Sequence, residues 1–313
     1  MTRVAAVDCG TNSIRLLVAD ADPATGELVD LDRRMTIVRL GQGVDRTGRL
    51  APEALGRTFA ACREYAAVIK EHGAERLRFV ATSASRDAEN RDEFVRGVLD
   101  ILGVEPEVIS GDQEAALSFT GATAELQGRD DLARPYLVVD IGGGSTEFVV
   151  GDDRVRAARS VDVGCVRMTE RHLVSEGAVS DPPSKRQIAA MRADIEAALD
   201  LAEETVPLRE ARTLVGLAGS VTTVSAIAQE LPAYDSARIH HSRVSRDRVR
   251  EITEWLLRST HAERAAIPSM HPGRVDVIGA GSLVLLAIME RTGAHEVVVS
   301  EHDILDGIGW SLA

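Results

Sequence analysis

The chain has 313 residues, 44% of them hydrophobic and only 3% aromatic, with a formal net charge of −13. That length suits two domains with Ala/Val/Leu/Ile cores, and the charge argues against bulk binding to nucleic acid or anionic membranes. The three cysteines, Cys9, Cys62 and Cys165, are odd in number and lack CxxC spacing, which excludes a disulfide framework or zinc knuckle and points to a reducing cytoplasm. No signal peptide is expected, because Asp8 interrupts the first apolar run, and Val277–Met289 is too short an apolar stretch to span a bilayer.

In chain order, Val4–Asp8 and Ser13–Asp20 read as a tight β pair, followed by a third strand at Leu28–Leu40. Pro52 opens a helix with apolar residues at Leu55, Phe59, Cys62, Ala66 and Ile69, and Gly73 suits its end. A strand at Leu77–Thr82, a helix from Arg86 or Asp87 to Gly103 and a strand at Val104–Ile109 follow. Ser110 and Gln113 then form a capping-box start to a helix running to about Gln127. After a polar linker, Gln127–Pro135, the order repeats: strands at 136–141, 146–151 and 154–161, helices at 164–175 and 184–206, and a strand at 213–218. Helices from about Val221, at 247–260 and at 273–292, a strand at Glu296–Ser300 and a last helix from about Asp303 complete it. Each half reads βββαβαβα, so the expected fold is α/β, two domains of duplicated order with an interdomain cleft. The expected boundaries are 1–127 and 128–313, the last helix (about 303–313) being a candidate to pack back on the first domain.

The duplication is sharpest in two turns. Val4–Ala19 carries Asp8, Gly10 and Ser13 at the spacing of Asp140, Gly142 and Ser145 in YLVVDIGGGSTEFVV (136–150). Both read strand, Asp-x-Gly-x-x-Ser, strand. Glycines there let bare N–H groups approach an anion, and a carboxylate at the strand end can hold a hard cation. One such turn is an ordinary hairpin connection; two phosphate-type turns in one chain point to two related halves facing each other across a cleft.

These motifs, together with ATSASRDAEN (81–90), SGDQEA (110–115), VGCVRMTE (163–170), GLAGSVTT (216–223) and GAGSLVL (279–285), resemble the exopolyphosphatase/guanosine-pentaphosphate phosphatase family. That family belongs to the superfamily of actin, sugar kinases and heat-shock ATPases, so the resemblance implies two ribonuclease-H-like (actin-like ATPase) domains. It also implies a cytoplasmic hydrolase acting on inorganic polyphosphate with Mg²⁺ as cofactor, guanosine pentaphosphate being the alternative substrate. A homodimer is expected, without nucleic-acid or membrane partners. Glu114 matches the family's general base, although Gln113 stands where a second acid is common. Without the resemblance, Glu114 would be an acid favoured by a helix N-terminus. Asp140 and Glu147, with Asp8 as the symmetric partner of Asp140, match the carboxylates around the metal. Thr11, Asn12, Ser13, Gly142, Gly143, Gly144 and Ser145 are the expected phosphate donors. Arg86 and Asn90 are expected at a helix start as phosphate clamps, with Arg15 as a further candidate. Gly219 and Ser220 read equally as a phosphate contact and as a close strand-to-helix turn. His240-His241 lacks local metal-site spacing, and Cys9 reads as core. The rival readings are a sugar-kinase-like transferase and a non-catalytic polyphosphate or alarmone sensor.

Overall fold

The computed structural model describes all residues except 23, 25, 26, 127, 128, 176 and 177, together with the side chain of Ala178. The expected 127/128 boundary therefore lies outside the described residues. The chain divides into two compact units, Met1–Gly121 with Asp303–Ala313, and Ala122–His302.

Unit 1 contains strands β1 (Thr2–Cys9), β2 (Ser13–Asp22), β3 (Glu27–Ile37), β4 (Arg76–Ala81) and β5 (Glu107–Val108). Its helices are α1 (Val44–Thr47), α2 (Pro52–His72), α3 (Ser83–Asp87), α4 (Arg91–Leu102), α5 (Gly111–Thr123, reaching just past the unit's boundary) and the distant α13 (Ile304–Trp310). The sheet order is β3-β2-β1-β4-β5, with β1, β2 and β3 antiparallel and β4 and β5 parallel to β1. Alternate residues of β1 and β2 face two separate cores. Val7, Leu16 and Val18 pack on the side of α2 and α4, while Val4, Ala6, Leu17 and Ala19 pack against Ile304, Leu305 and Ile308 of α13. Each fully buried Val, Leu or Ile among these is worth about 1.5–3 kcal/mol.

Unit 2 repeats the plan with β6 (Tyr136–Ile141), β7 (Thr146–Gly151), β8 (Val155–Val161), the short hairpin β9 (Val174–Ser175) and β10 (Ala178–Val179), β11 (Thr213–Leu217), β12 (Arg243–Ser245) and β13 (Glu296–Val299). Its helices are α6 (Cys165–Leu173), α7 (Lys185–Glu203), α8 (Ala218–Ala228), α9 (Ser236–Ile239), α10 (Arg246–Arg258), α11 (His261–Ala265) and α12 (Ile278–Thr292). The main sheet runs β12-β13-β11-β6-β7-β8, again a three-stranded meander followed by two parallel strands, with β12 added at the edge. Both sheets thus have the 3-2-1-4-5 order of ribonuclease-H-like domains. Every residue of β6 and β7 is buried, as central strands covered on both faces must be.

Local signals account for most boundaries. Ser184 and Gln187 form the expected capping box of α7, and Ser110 and Gln113 form one at α5, Gln113 N–H to Ser110 Oγ at 3.3 Å and Ser110 N–H to Gln113 Oε1 at 3.0 Å. The expected single helix after β4 is instead two. The short α3 stops at Asp87, and α4 restarts at Arg91 after Ala88 takes extended backbone angles. None of the described helices is long and apolar enough to cross a membrane.

Candidate active site

The two turns have the same geometry. Gly10 N–H donates to Ser13 C=O at 2.9 Å, and Gly142 N–H donates to Ser145 C=O at 3.1 Å. Each lies at the C-terminal end of the first strand of its sheet, where ligands bind in open α/β sheets. In unit 1 the turn is braced from behind by the segment after β3. Val38 and Arg39 N–H groups donate to Asn12 C=O, and Gly41 N–H to Thr11 C=O at 2.9 Å. Those carbonyls are thus committed to the protein. The side-chain atoms Asp8 Oδ1, Thr11 Oγ1 and Asn12 Oδ1, with Ser83 Oγ and Ser85 Oγ of the neighbouring α3, are buried and have no hydrogen-bond partner within the protein. Buried polar atoms are normally satisfied, so this concentration marks a place built for a polar ligand.

In unit 2 the carbonyls of the glycine turn are spent on α6. Gly142 C=O accepts from Cys165 N–H, Gly143 C=O from Val166 and Arg167 N–H, and Gly144 C=O from Arg167 Nε at 2.6 Å. The fit is backbone against backbone: a Cβ on Gly164 would lie 2.5 Å from the carbonyl of Gly143. Thr146 Oγ1 donates to Val163 C=O at 2.6 Å and closes the same corner.

The turns differ at one cross-strand position. Asp140 stands opposite Glu147, whereas Asp8 stands opposite Arg15. Asp140 and Glu147 are both buried, and Glu147 Oε1 accepts from Ser160 Oγ at 2.7 Å. Like charges directly across a sheet are unfavourable, and a divalent cation relieves that cost, so this pair fits a hard metal ion. In unit 1 Asp8 keeps Oδ1 buried and without a hydrogen-bond partner in the protein. Burial pushes the Asp8 carboxyl up, against the opposing pull of Arg15.

Glu114 lies in the first turn of α5, 8% exposed, and its Oε2 accepts from Arg86 Nη1 at 3.0 Å. The same Nη1 donates to Ile109 C=O at 3.1 Å. Arg86 sits in the last turn of α3, not at a helix start. Asn90 precedes α4 with its amide taken by Leu50, Oδ1 accepting from Leu50 N–H at 2.8 Å and Nδ2 donating to Leu50 C=O at 3.1 Å. Cys9 belongs to the core, and burial pushes its thiol well up.

The model of the Ppx/GppA phosphatase family matches residues 17–312 of this sequence. The chain belongs to that family. Over its whole length this Ppx/GppA phosphatase is 52% identical to exopolyphosphatase 2 of Mycobacterium tuberculosis, covering 99% of that protein. Among solved structures it superposes on an exopolyphosphatase-like protein with a TM-score of 0.92 at 46% identity, covering 98% of this chain and 97% of that one. It also superposes on the PPX-GPPA enzyme of Aquifex aeolicus with a TM-score of 0.79 at 30% identity, covering 99% of each chain.

Two further places carry polar side chains in this family member. The helix α8 begins at Ala218, earlier than expected, with Ala218 at φ 65°. Ser220 is buried in its first turn, and the Arg274 guanidinium lies against Gly219 while its Nη1 donates to Thr223 Oγ1 at 3.1 Å. The second place is a histidine cluster that local spacing could not reveal. His240 Nε2 lies 2.9 Å from Glu125 Oε2, His302 Nδ1 lies 3.4 Å from Glu125 Oε1, and the rings of His240 and His241 stack at 3.7 Å. Glu125, His240 and His302 are close enough to hold a metal ion. However, His240 Nδ1 accepts from Glu301 N–H at 3.1 Å. A neutral ring accepting there carries its proton on Nε2 and donates it to Glu125, whereas a metal-ligating histidine presents a bare nitrogen to the ion. Glu125, His240 and His302 are thus tied together by hydrogen-bond and ion-pair contacts, while His241 Nε2 beside them is buried without a partner in the protein. Burial pushes His241 down to about 4, so it adds no charge near neutral pH.

Proposed function

We propose that the protein is a cytoplasmic exopolyphosphatase, releasing terminal orthophosphate from inorganic polyphosphate by attack of water, with guanosine pentaphosphate as the alternative substrate. The observation that carries this reading is the duplicated turn, with the Asp140–Glu147 pair in one copy and buried, unpartnered polar atoms in the other. Phosphoryl transfer needs in-line placement of water, neutralisation of phosphate oxygens and a base. Glu114 is the base, oriented by Arg86, whose guanidinium also receives a phosphate oxygen. The N–H groups of Gly143, Gly144 and Ser145, with Thr11, Asn12 and Ser13, receive phosphate oxygens, and Gly219 and Ser220 are further contacts. Asn90 serves by holding the Leu50 segment. Asp140, Glu147 and Asp8 would hold Mg²⁺, which supplies charge neutralisation at the phosphoanhydride. A homodimer is the proposed assembly.

The deciding experiment measures phosphate release by purified protein with Mg²⁺ from short polyphosphate, long polyphosphate and guanosine pentaphosphate. Release from polyphosphate is expected. Binding without turnover would replace this reading with a non-catalytic sensor, and ATP-dependent phosphorylation of a sugar would replace it with a kinase.

Asp140→Asn is expected to move the Mg²⁺ activation curve to higher concentration, because a neutral amide is a poorer ligand for a hard cation. An unchanged curve at unchanged rate would reduce Asp140 to a turn residue.

Chain length should also matter. A long polyphosphate needs a long cationic track to stay bound between cleavages. Here Arg15 pairs with Asp8 and Asp303, Arg86 with Glu114, and Arg167 and Arg274 bond to Gly144 and Thr223, in a chain of net charge −13. Short chains should be preferred, and long ones released after few cleavages. On a gel with enzyme limiting, successive intermediate lengths are expected; direct conversion to the smallest products would contradict this.

A further inference from the structure

In unit 1 the turn carboxylate faces a guanidinium, which by itself would cancel the charge a cation needs. Arg15 Nε and Nη2 both donate to Asp8 Oδ2, at 3.0 and 2.7 Å. Arg15 is shared, however. Its Nη1 donates to Asp303 Oδ2, so two carboxylates divide one positive charge. Asp303 is the N-cap of α13 and is held from several directions. Its Oδ1 accepts from Leu305 N–H at 3.0 Å, and its own N–H donates to Asp306 Oδ2 at 2.9 Å. Asp306 is paired in turn with Arg33. Asp8 keeps its second oxygen, Oδ1, buried and without a partner in the protein.

We propose that Asp303 is a positioning residue for the cation: by taking a share of Arg15 it keeps that guanidinium from cancelling the Asp8 charge alone, with Oδ1 available to a divalent ion or to a water of its shell. The inference rests on the cation-assisted hydrolysis proposed above. A merely structural salt bridge between α13 and β2 would change stability alone. A positioning role changes cation affinity, since any charge removed from this triad is removed beside Asp8.

Asp303→Asn separates the two, because Asn is as good an N-cap as Asp but carries no charge. The probe is Mn²⁺ binding to the metal-free protein, read from the electron paramagnetic resonance of the free ion, alongside the Mg²⁺ activation curve. Asp303→Asn is expected to weaken Mn²⁺ binding about tenfold, the lower end for partners that act behind a metal ligand, with an equal shift of the Mg²⁺ curve. Adding Arg15→Gln removes the shared cation and should restore affinity, a coupling that a double-mutant cycle reads directly. Asp306→Asn, which disturbs the cap while leaving the triad's charges in place, should leave Mn²⁺ binding unchanged. If Asp303→Asn does not fold, Arg15→Gln alone must tighten Mn²⁺ binding, and no change there would overturn the proposal. A folded Asp303→Asn with unaltered affinity would overturn it while the hydrolase reading stands. A wild-type protein that neither binds Mn²⁺ nor needs a divalent ion for phosphate release would overturn both.

Discussion

Glu114→Gln is expected to lower kcat by about 10²–10⁴ while leaving substrate binding largely intact, the usual range for loss of a general base. The substitution keeps the volume of a side chain that is 8% exposed, and Gln can still accept from Arg86. It removes the negative charge, and with it both the capacity to take a proton from water and the ion pair with Arg86. The Ser110–Gln113 capping box that sets the start of α5 is untouched, so any loss of stability should come from that ion pair alone. Near-normal turnover would remove Glu114 from the mechanism.

Gly307→Ala is expected to destabilise the protein by about 3 kcal/mol or more. Within α13, a Cβ on Gly307 would overlap the carbonyl oxygen of Leu117 in α5 and lie 2.8 Å from its carbon; a Cβ on Gly121 would strike the carbonyl of Asp303. The helices meet backbone to backbone, so no rotamer change relieves the clash. They must separate, and Ile304, Leu305 and Ile308 then lose packing against β1 and β2. Overpacking alone costs about 1–3 kcal/mol, and the lost burial adds to it, outweighing the roughly 1 kcal/mol by which Ala exceeds Gly in helix propensity. Gly56, on the exposed side of α2, has nothing within 4 Å of such a Cβ, so Gly56→Ala should stabilise by about 0.4–1 kcal/mol. Denaturant midpoints of the two variants should move in opposite directions, and an unmoved midpoint for Gly307→Ala would mean the crossing can yield.

The sequence carried the architecture because its signals are local and repeated. The Asp-x-Gly-x-x-Ser spacing marks the same turn twice, and Ser110/Gln113 and Ser184/Gln187 mark helix starts within four residues. The contrast between Asp140–Glu147 and Asp8–Arg15 was also open to inspection, since a tight hairpin sets residues seven apart opposite each other. The break between α3 and α4 was not, because SASRDAEN has no apolar periodicity to reveal where one helix stops. Long-range partners were hidden altogether. Arg15 and Asp303 are 288 positions apart and His240 and Glu125 are 115 apart, distances over which no spacing rule operates. For the same reason Arg86 was legible as a cation in a motif, but its partner Glu114 had to be found in space.

The return of residues 303–313 to the first unit bears on how the molecule is made. Domains usually fold as they emerge during synthesis, N-terminal first. Here the first 121 residues emerge with one face of β1 and β2 only partly covered, by Ile109 and Leu117, because Ile304, Leu305 and Ile308 lie beyond the whole of unit 2. Unit 2 has all its strands before that segment exists. The order of completion is thus reversed relative to the order of translation, and an unfinished chain exposes apolar sheet until its last helix is in place. The triad at Asp8 shares this timing: Asp303 arrives with that helix, so the charge balance at the first turn is set only after all the strands of unit 2 exist.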